Sequence, residues 1–233
     1  MSRLVSQHCW ILHRRSWRET SLLIELFSQE HGRVGLVARG ARSARSAWRG
    51  LGEPFVPLES EWLRRGELGT LVRLEQTGPR PALNGRALWC ALYANELLLT
   101  LIGRDEPLPE LFAAYAGLLH ALGSDAGLGG SLRAFELDLL NALGVAPDFE
   151  REAHSDRPIQ PDGHYRLEPE AGFTAVDPLA RNVYAGAAIL ALSQGGDASL
   201  EHRRQARDIT RVLLDHQLDG RILKTRELFR STQ

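Results

Sequence analysis

The sequence predicts an α+β protein: an N-terminal barrel of about five strands, then a mainly α-helical region that contains an irregular insert. Three observations carry this reading. The first eighty residues consist of short strand-like runs punctuated by glycine. After Gly78, Pro79 and Pro81 the hydrophobic period changes from two to nearly four, which predicts a boundary near residue 80, with residues 1–80 and 81–233 as the two domains. Beyond it, apolar runs of helical spacing carry recognisable starts and stops.

In order along the chain, Cys9 to Leu12 is a short apolar run, and Ser21 to Phe27 is rich in strand formers. Gly32 supplies a turn before Arg33 to Arg39, where Val34, Leu36 and Ala38 alternate with polar or small residues. Pro54 to Leu63 and Thr70 to Glu75 complete the set, separated by a turn at Arg64, Arg65 and Gly66. Five short strands fit an oligonucleotide-binding (OB) barrel, although periodicity alone leaves other small barrels open. In the helical region Leu88, Leu92, Leu99 and Ile102 share one face. A second helix follows Pro107 and Pro109, buries Leu111, Tyr115, Leu118 and Leu122, and stops at Gly123. A third is predicted to be capped by Ser131, to turn Leu132, Phe135, Leu139, Leu140 and Leu143 inward, and to end at Gly144. Residues 148–177 are polar and proline-containing, with one hairpin suggested through Tyr165 to Leu167 and Phe173 to Val176. Helices return at Gly186 to Ser193 and Ser199 to His216, before the closing segment of residues 222–230.

The composition is that of an ordinary globular chain: 43% apolar, 24% charged, with no apolar run long enough to span a bilayer and no signal-peptide pattern at the N-terminus. A cytoplasmic protein with no membrane association is expected. Cys9 and Cys90 have neither disulfide-framework nor zinc-ligand spacing and read as small buried hydrophobes. The net charge of -1 conceals an asymmetry. Residues 1–80 hold 13 Arg against 8 acids, whereas residues 81–170 hold 6 Arg against 14. The basic end is therefore N-terminal, as a polyanion surface on the barrel requires. Lys224 is the only lysine beside 27 arginines, a skew that reflects base composition and discounts any single arginine, although guanidinium still forks to phosphate and stacks on flat rings.

Five stretches, in order, resemble the RecO family over nearly the whole length: WRETSLLIELFSQEHGRVGLVARGARSARS (17–46), EPFVPLE (53–59), LYANELLLTLI (92–102), LRAFELDLLNALG (132–144) and KTRELFR (224–230). The resemblance implies an OB fold, a helical domain and, in many members, a zinc module of two CxxC pairs. No cysteine follows Cys90, and His154 and His164 supply only two imidazoles, so the chain looks like a zinc-free branch with no metal and no cofactor. The resemblance further implies a recombination mediator acting in DNA repair. Its expected partners are single-stranded DNA, with duplex DNA left open, single-stranded DNA-binding protein, and a RecR partner.

The segment ARGARSARSAWRG (38–50) is the main candidate for DNA contact. Arg39, Arg42, Arg45 and Arg49 recur every three or four residues around small side chains and Trp48, so guanidinium groups meet phosphates while an aromatic offers a face to a base. Arg18 and Arg33 extend the same set, with Arg14 and Arg15 as further contacts; a solvated basic loop is the alternative. Trp10, Trp17 and Trp62 fit stacking platforms but fit a strand core better. On the last long helix Arg203, Arg207 and Arg211 form a basic stripe. With Arg133, and with Leu137 and Leu140 as an apolar pocket, the stripe is the expected dock for the acidic tail of single-stranded DNA-binding protein; a solvated helix face is the plainer reading. No nucleotide, metal-hydrolase or serine-hydrolase motif is present, so no catalytic residue is assigned and a non-enzymatic protein is expected. The rival is a protein–protein adaptor in DNA repair that scarcely binds DNA; a nuclease has no motif behind it.

Overall fold

The computed structural model describes residues 2–43, Ser46, Trp48, and residues 52–124, 127–194 and 199–230. Compactness divides the chain into two units, Met1–Leu128 with Leu223–Gln233, and Gly129–Ile222. Strands give way to helices near residue 80, but the first two helices group with the strands that precede them.

In the first unit, β1 (Ser2–Trp17), β2 (Ser21–Ser28), β3 (Gly32–Ala38), β4 (Leu58–Arg65) and β5 (Leu68–Gln76) close into a barrel in the order β1-β2-β3-β5-β4. The β3–β5 pair is parallel and the others antiparallel. This is an OB fold. Closure depends on β1, which is much longer than the Cys9–Leu12 run predicted. Its first half pairs with β4 and its second with β2, and irregularities between Leu4 and Gln7 and between Ile11 and His13 let one strand bend into both sheets. The strand was hidden because its second half carries the charged residues His13, Arg14 and Arg15 facing solvent. Inside the barrel Ile11, Ile24, Leu36, Leu58, Trp62 and Leu71 form the core. Cys9 is also interior, and burial pushes its thiol up to about 12 despite a contact with Ser60.

Two helices cover the outer face of β1 and β2: α1 (Gly85–Leu101) and α2 (Pro109–Gly123). Phe27 meets Phe112 and Tyr115 at ring centroids of 5.5 and 6.2 Å, and Trp10 meets Tyr115 edge-on at 5.9 Å. The buried Asn95 amide donates to the Leu12 carbonyl at 2.8 Å and accepts from Tyr115 Oη at 2.5 Å, so the polar groups in this seam satisfy one another. Against expectation, the buried face of α1 runs through Ala87, Ala91, Ala94 and Leu98, with Leu88, Leu92 and Leu99 only half-buried. Small alanines let the helix approach the barrel closely, and the leucines flank that contact. The connector after α1 is fixed to the strands by Arg104 to Glu25, by both terminal guanidinium nitrogens of Arg64 to Asp105, and by the Asp105 amide on the Arg33 carbonyl at 2.9 Å. Gly32 is required there: its φ is +62° and an added Cβ would sit 1.8 Å from the Glu106 carbonyl oxygen. A short C-terminal helix, α6 (Thr225–Arg230), returns to α1.

The second unit begins with α3 (Leu128–Ala142), which buries Leu132, Phe135, Leu139 and Leu140 as expected. Ser131 is not its cap, because the helix starts at Leu128 and runs through the glycines. Residues 148–177 are more ordered than an irregular insert. The hairpin of β6 (His164–Glu168) and β7 (Gly172–Ala175) is joined by β8 (Tyr184–Ala185) in a three-stranded sheet, β7-β6-β8. Buried Tyr165 accepts a hydrogen bond from the Gln160 amide at 2.8 Å, and Phe173 packs on Phe149. Two helices follow, α4 (Gly186–Gln194) and α5 (Leu200–Leu218), the latter capped by Ser199 on the His202 amide. Among the described residues no helix is long and apolar enough to cross a membrane.

Candidate nucleic-acid interface

Strand register places the basic residues before any ligand is considered. Arg15, Leu23 and Val37 lie in one row across β1, β2 and β3, and Ile24 and Leu36 in the adjacent row belong to the barrel core. Alternation therefore turns Arg15 outward, and the next outward row holds Trp17 opposite Ser21, with Arg39 just beyond the end of β3. Arg15 sits over the Trp17 ring, 5.9 Å from its centroid. Between Trp17 and Ser21 the chain reverses through Arg18, Glu19 and Thr20, and Arg18 takes φ +53°, a left-handed conformation uncommon for a residue with a side chain. Arg18, Arg39 and Arg42 are all exposed at this end of the barrel.

Arg42 is not free there. Its backbone amide donates to the Thr20 carbonyl at 2.9 Å, and its guanidinium donates to the carbonyls of Arg18 and Glu19 at 3.4 and 3.2 Å. A second tie to β1 comes from Arg14, which pairs with Glu53. Trp48 is partly buried and packs against the barrel core, so the aromatic expected to face a base is largely committed to the fold. Trp17 occupies the outward position instead. Its signal was the strand register, which composition does not carry. Trp62 is fully buried and Trp10 nearly so, which removes both from any surface. Arg45 and Arg49 lie outside the described residues.

Arg33 is turned toward α1 and donates to the Leu99 carbonyl; it faces Glu25 at 3.8 Å, within ion-pair range but too far for a hydrogen bond. Burial lowers its pKa, an effect opposed by Glu25 and reinforced by Arg104. It fastens the barrel to α1 and is mostly withdrawn from solvent. The β4–β5 side has the opposite character, with Glu59, Glu61 and Glu75 around Arg73. Positive charge is thus gathered at the β1–β2 turn and the end of β3, and an acidic cluster lies at the start of β4 and the end of β5.

In the second unit the expected docking residues separate. Arg133 pairs with the buried carboxylate of Glu136 and donates to Thr210 Oγ1 at 2.7 Å. Leu140 is fully buried and Leu137 half-buried, so Leu140 lines no open pocket. Arg203, Arg207 and Arg211 are exposed on α5, with Arg207 beside Asp208 and Arg211 beside Asp215, each at 3.6 Å. Among the described residues no group of three or more His, Cys, Asp or Glu side chains is placed to hold a metal ion.

Comparison with known proteins matches two family descriptions. Residues 1–80 match the family description "Recombination protein O N terminal", and residues 82–227 match "Recombination protein O C terminal". The chain is similar to the DNA repair protein RecO of Methylococcus capsulatus, with 42% identity over 231 residues that cover 99% of this chain and 95% of the relative. It is 41% identical to that of Halorhodospira halophila, covering 99% of each chain. To that of Pseudomonas aeruginosa it is 41% identical, covering 98% of this chain and 96% of the relative. An OB barrel, a helical region with its own small sheet and family-wide similarity over nearly every residue lead to one conclusion: the chain belongs to the RecO family of DNA repair proteins.

Proposed function

We propose that this protein is a recombination mediator that holds single-stranded DNA at the basic end of its barrel, promotes annealing of complementary strands, and helps load recombinase onto strands coated by single-stranded DNA-binding protein. The observation that carries the reading is the convergence of Arg15, Arg18, Arg39 and Arg42 with outward Trp17 on one end of an OB barrel. Such a surface neutralises phosphates and stacks a base without reading sequence. Neutralisation also lowers the repulsion between two strands, so annealing needs no nucleotide. Arg45 and Arg49 extend this surface in the proposal, and RecR and single-stranded DNA-binding protein are its protein partners, the latter docking through the exposed Arg203, Arg207 and Arg211 stripe.

Annealing of complementary strands coated with single-stranded DNA-binding protein, without nucleotide, tests the proposal. Faster annealing than the coated strands alone supports it. Binding to the coating protein without measurable affinity for a bare oligonucleotide would establish the adaptor reading instead.

A further inference from the structure

Three carbonyls in succession, those of Arg18, Glu19 and Thr20, form the whole β1–β2 turn, and all three accept hydrogen bonds from one residue, Arg42. The turn is a strained one, with Arg18 at φ +53°, and it is exposed. Arg18, Glu19 and Thr20 are all exposed, so the geometry of the turn depends on the strand pair that flanks it and on how its backbone acceptors are satisfied. Arg42 reaches it from the segment after β3, which itself turns through Gly40 at φ +68° and closes by the Ser43 amide on the Gly40 carbonyl at 3.0 Å.

Resting on the strand-binding reading above, we infer that Arg42 is a positioning residue: it pins the segment after β3 to the β1–β2 turn and so sets Arg18 and Arg39 at the spacing at which they meet successive phosphates. Three guanidinium groups gathered at one barrel end repel one another in the absence of a polyanion. The repulsion acts to spread the turn and the segment apart, and the three hydrogen bonds oppose it. A contact residue would leave its guanidinium donors open to solvent, and Arg39 is exposed with no such bond among the described residues. Arg42 instead directs one terminal nitrogen onto two backbone carbonyls, at the end of a side chain one bond longer than that of lysine, whose ammonium would stop short of them.

Contact and positioning differ in what a substitution removes. A contact residue contributes one phosphate, and its loss lowers the log–log salt slope of single-strand binding by about 0.7. Loss of the positioning residue withdraws the residues it aligns as well. The experiment measures oligonucleotide affinity against salt for the full-length chain and its Arg39→Gln, Arg42→Gln and Arg42→Lys variants, with exchange of the amide hydrogens of residues 42 and 43 followed in the absence of DNA. Arg39→Gln is expected to lower the slope by one increment and leave exchange unchanged. Arg42→Gln is expected to lower it by two or more and to speed exchange at both amides. Arg42→Lys, which keeps the charge, is expected to behave like Arg42→Gln. Full retention of affinity by Arg42→Lys, or a single-increment loss in Arg42→Gln with unaltered exchange, would overturn the inference and make Arg42 an ordinary phosphate contact. Wild-type protein that binds no oligonucleotide would overturn the parent reading, whatever the exchange data show.

Discussion

At the scale of single residues, identical side chains do unlike work, and burial decides which. Arg133 and Arg207 look interchangeable in the sequence, both helical and both near apolar positions. Arg133 holds the carboxylate of Glu136, whose side chain is 1% exposed, whereas Arg207 lies in solvent beside Asp208. Removing one partner of a buried pair leaves the other charged and unsolvated, at a cost of about 3–5 kcal/mol, while an exposed pair is worth under about 1 kcal/mol. Arg133→Ala is therefore expected to lower the stability of the second unit severely and Arg207→Ala hardly at all, as read from denaturant midpoints; equal midpoints would refute the assignment. It also follows that Arg133→Glu is a poor probe of partner docking, and the α5 stripe is the place to test it. Asp105 provides a second case. Hydrogen bonds from Arg64 hold its carboxyl below the ordinary range, with burial opposing them. A carboxyl whose folded pKa is depressed adds stability that is complete above its unfolded value, about 3.9, and disappears as pH falls through the folded value. Because the pair is partly exposed, its worth is about 0.5–1 kcal/mol. Asp105→Asn, which still suits the φ of +62° at this position, is expected to be less stable than wild type at pH 7 by that amount, with the gap closing below about pH 4. A gap that persists unchanged at pH 3 would mean that the ion pair is not its source.

At the scale of elements, what was legible in the sequence is what local rules specify. The α2 helix, with proline at its start and Leu111, Tyr115, Leu118 and Leu122 on one face, matches its prediction because period and punctuation agree. The β1 strand and the inward face of α1 were misread because partners far along the chain determine them: β1 serves two sheets, and α1 buries alanines that carry little hydrophobic signal. The candidate site divides the same way. Arg18, Arg39 and Arg42 could be picked out by composition, but the outward turn of Trp17 comes from strand register, and Arg33, on the outer face of β3, is withdrawn because α1 covers it. The last helix, α6, is a further long-range construction. Glu96 on α1 accepts hydrogen bonds from the Lys224 amide at 2.9 Å and from the Thr225 amide and hydroxyl at 2.9 and 2.6 Å, and Phe229 packs edge-on to Trp89 and Tyr93. A six-residue helix is too short to persist alone, so this borrowed cap and the aromatic contacts sustain it. Glu96→Ala is expected to weaken it by about 1–2 kcal/mol, the scale of a lost cap, and to speed amide exchange at 224–230 without altering the barrel. Uniform acceleration across the first unit would show that Glu96 supports α1 itself.

At the scale of the whole molecule, the near-neutral net charge is a sum over a basic barrel region and an acidic helical one, and within the barrel it is again the arrangement that governs a polyanion. Arg15, Arg18, Arg39 and Arg42 gather at one end, while Glu59, Glu61 and Glu75 lie across β4 and β5. Two electrostatic effects on DNA binding should then separate by their salt dependence. Contacts with phosphate release counterions, so each sets an increment of slope that persists at every salt concentration. Carboxylates away from the strand act only through the field, whose reach is about 30 Å at 0.01 M salt and about 8 Å at 0.15 M. The acidic face is expected to repel the strand at low salt and to be silent at physiological salt. Glu59 and Glu75 are the positions to neutralise, because Glu61 is buried against Arg73 and its loss would disturb the strand pair. The double variant Glu59→Gln, Glu75→Gln should bind an oligonucleotide more tightly than wild type at 0.01–0.02 M salt, and the two should converge by 0.15–0.2 M. Since Glu75 also pairs with Arg73 at 2.6 Å, its neutralisation frees one cation, which acts through the same screened field. An advantage that persists undiminished at 0.2 M salt would place the strand within contact distance of β4 and β5, and the basic end of the barrel would then not be where it lies.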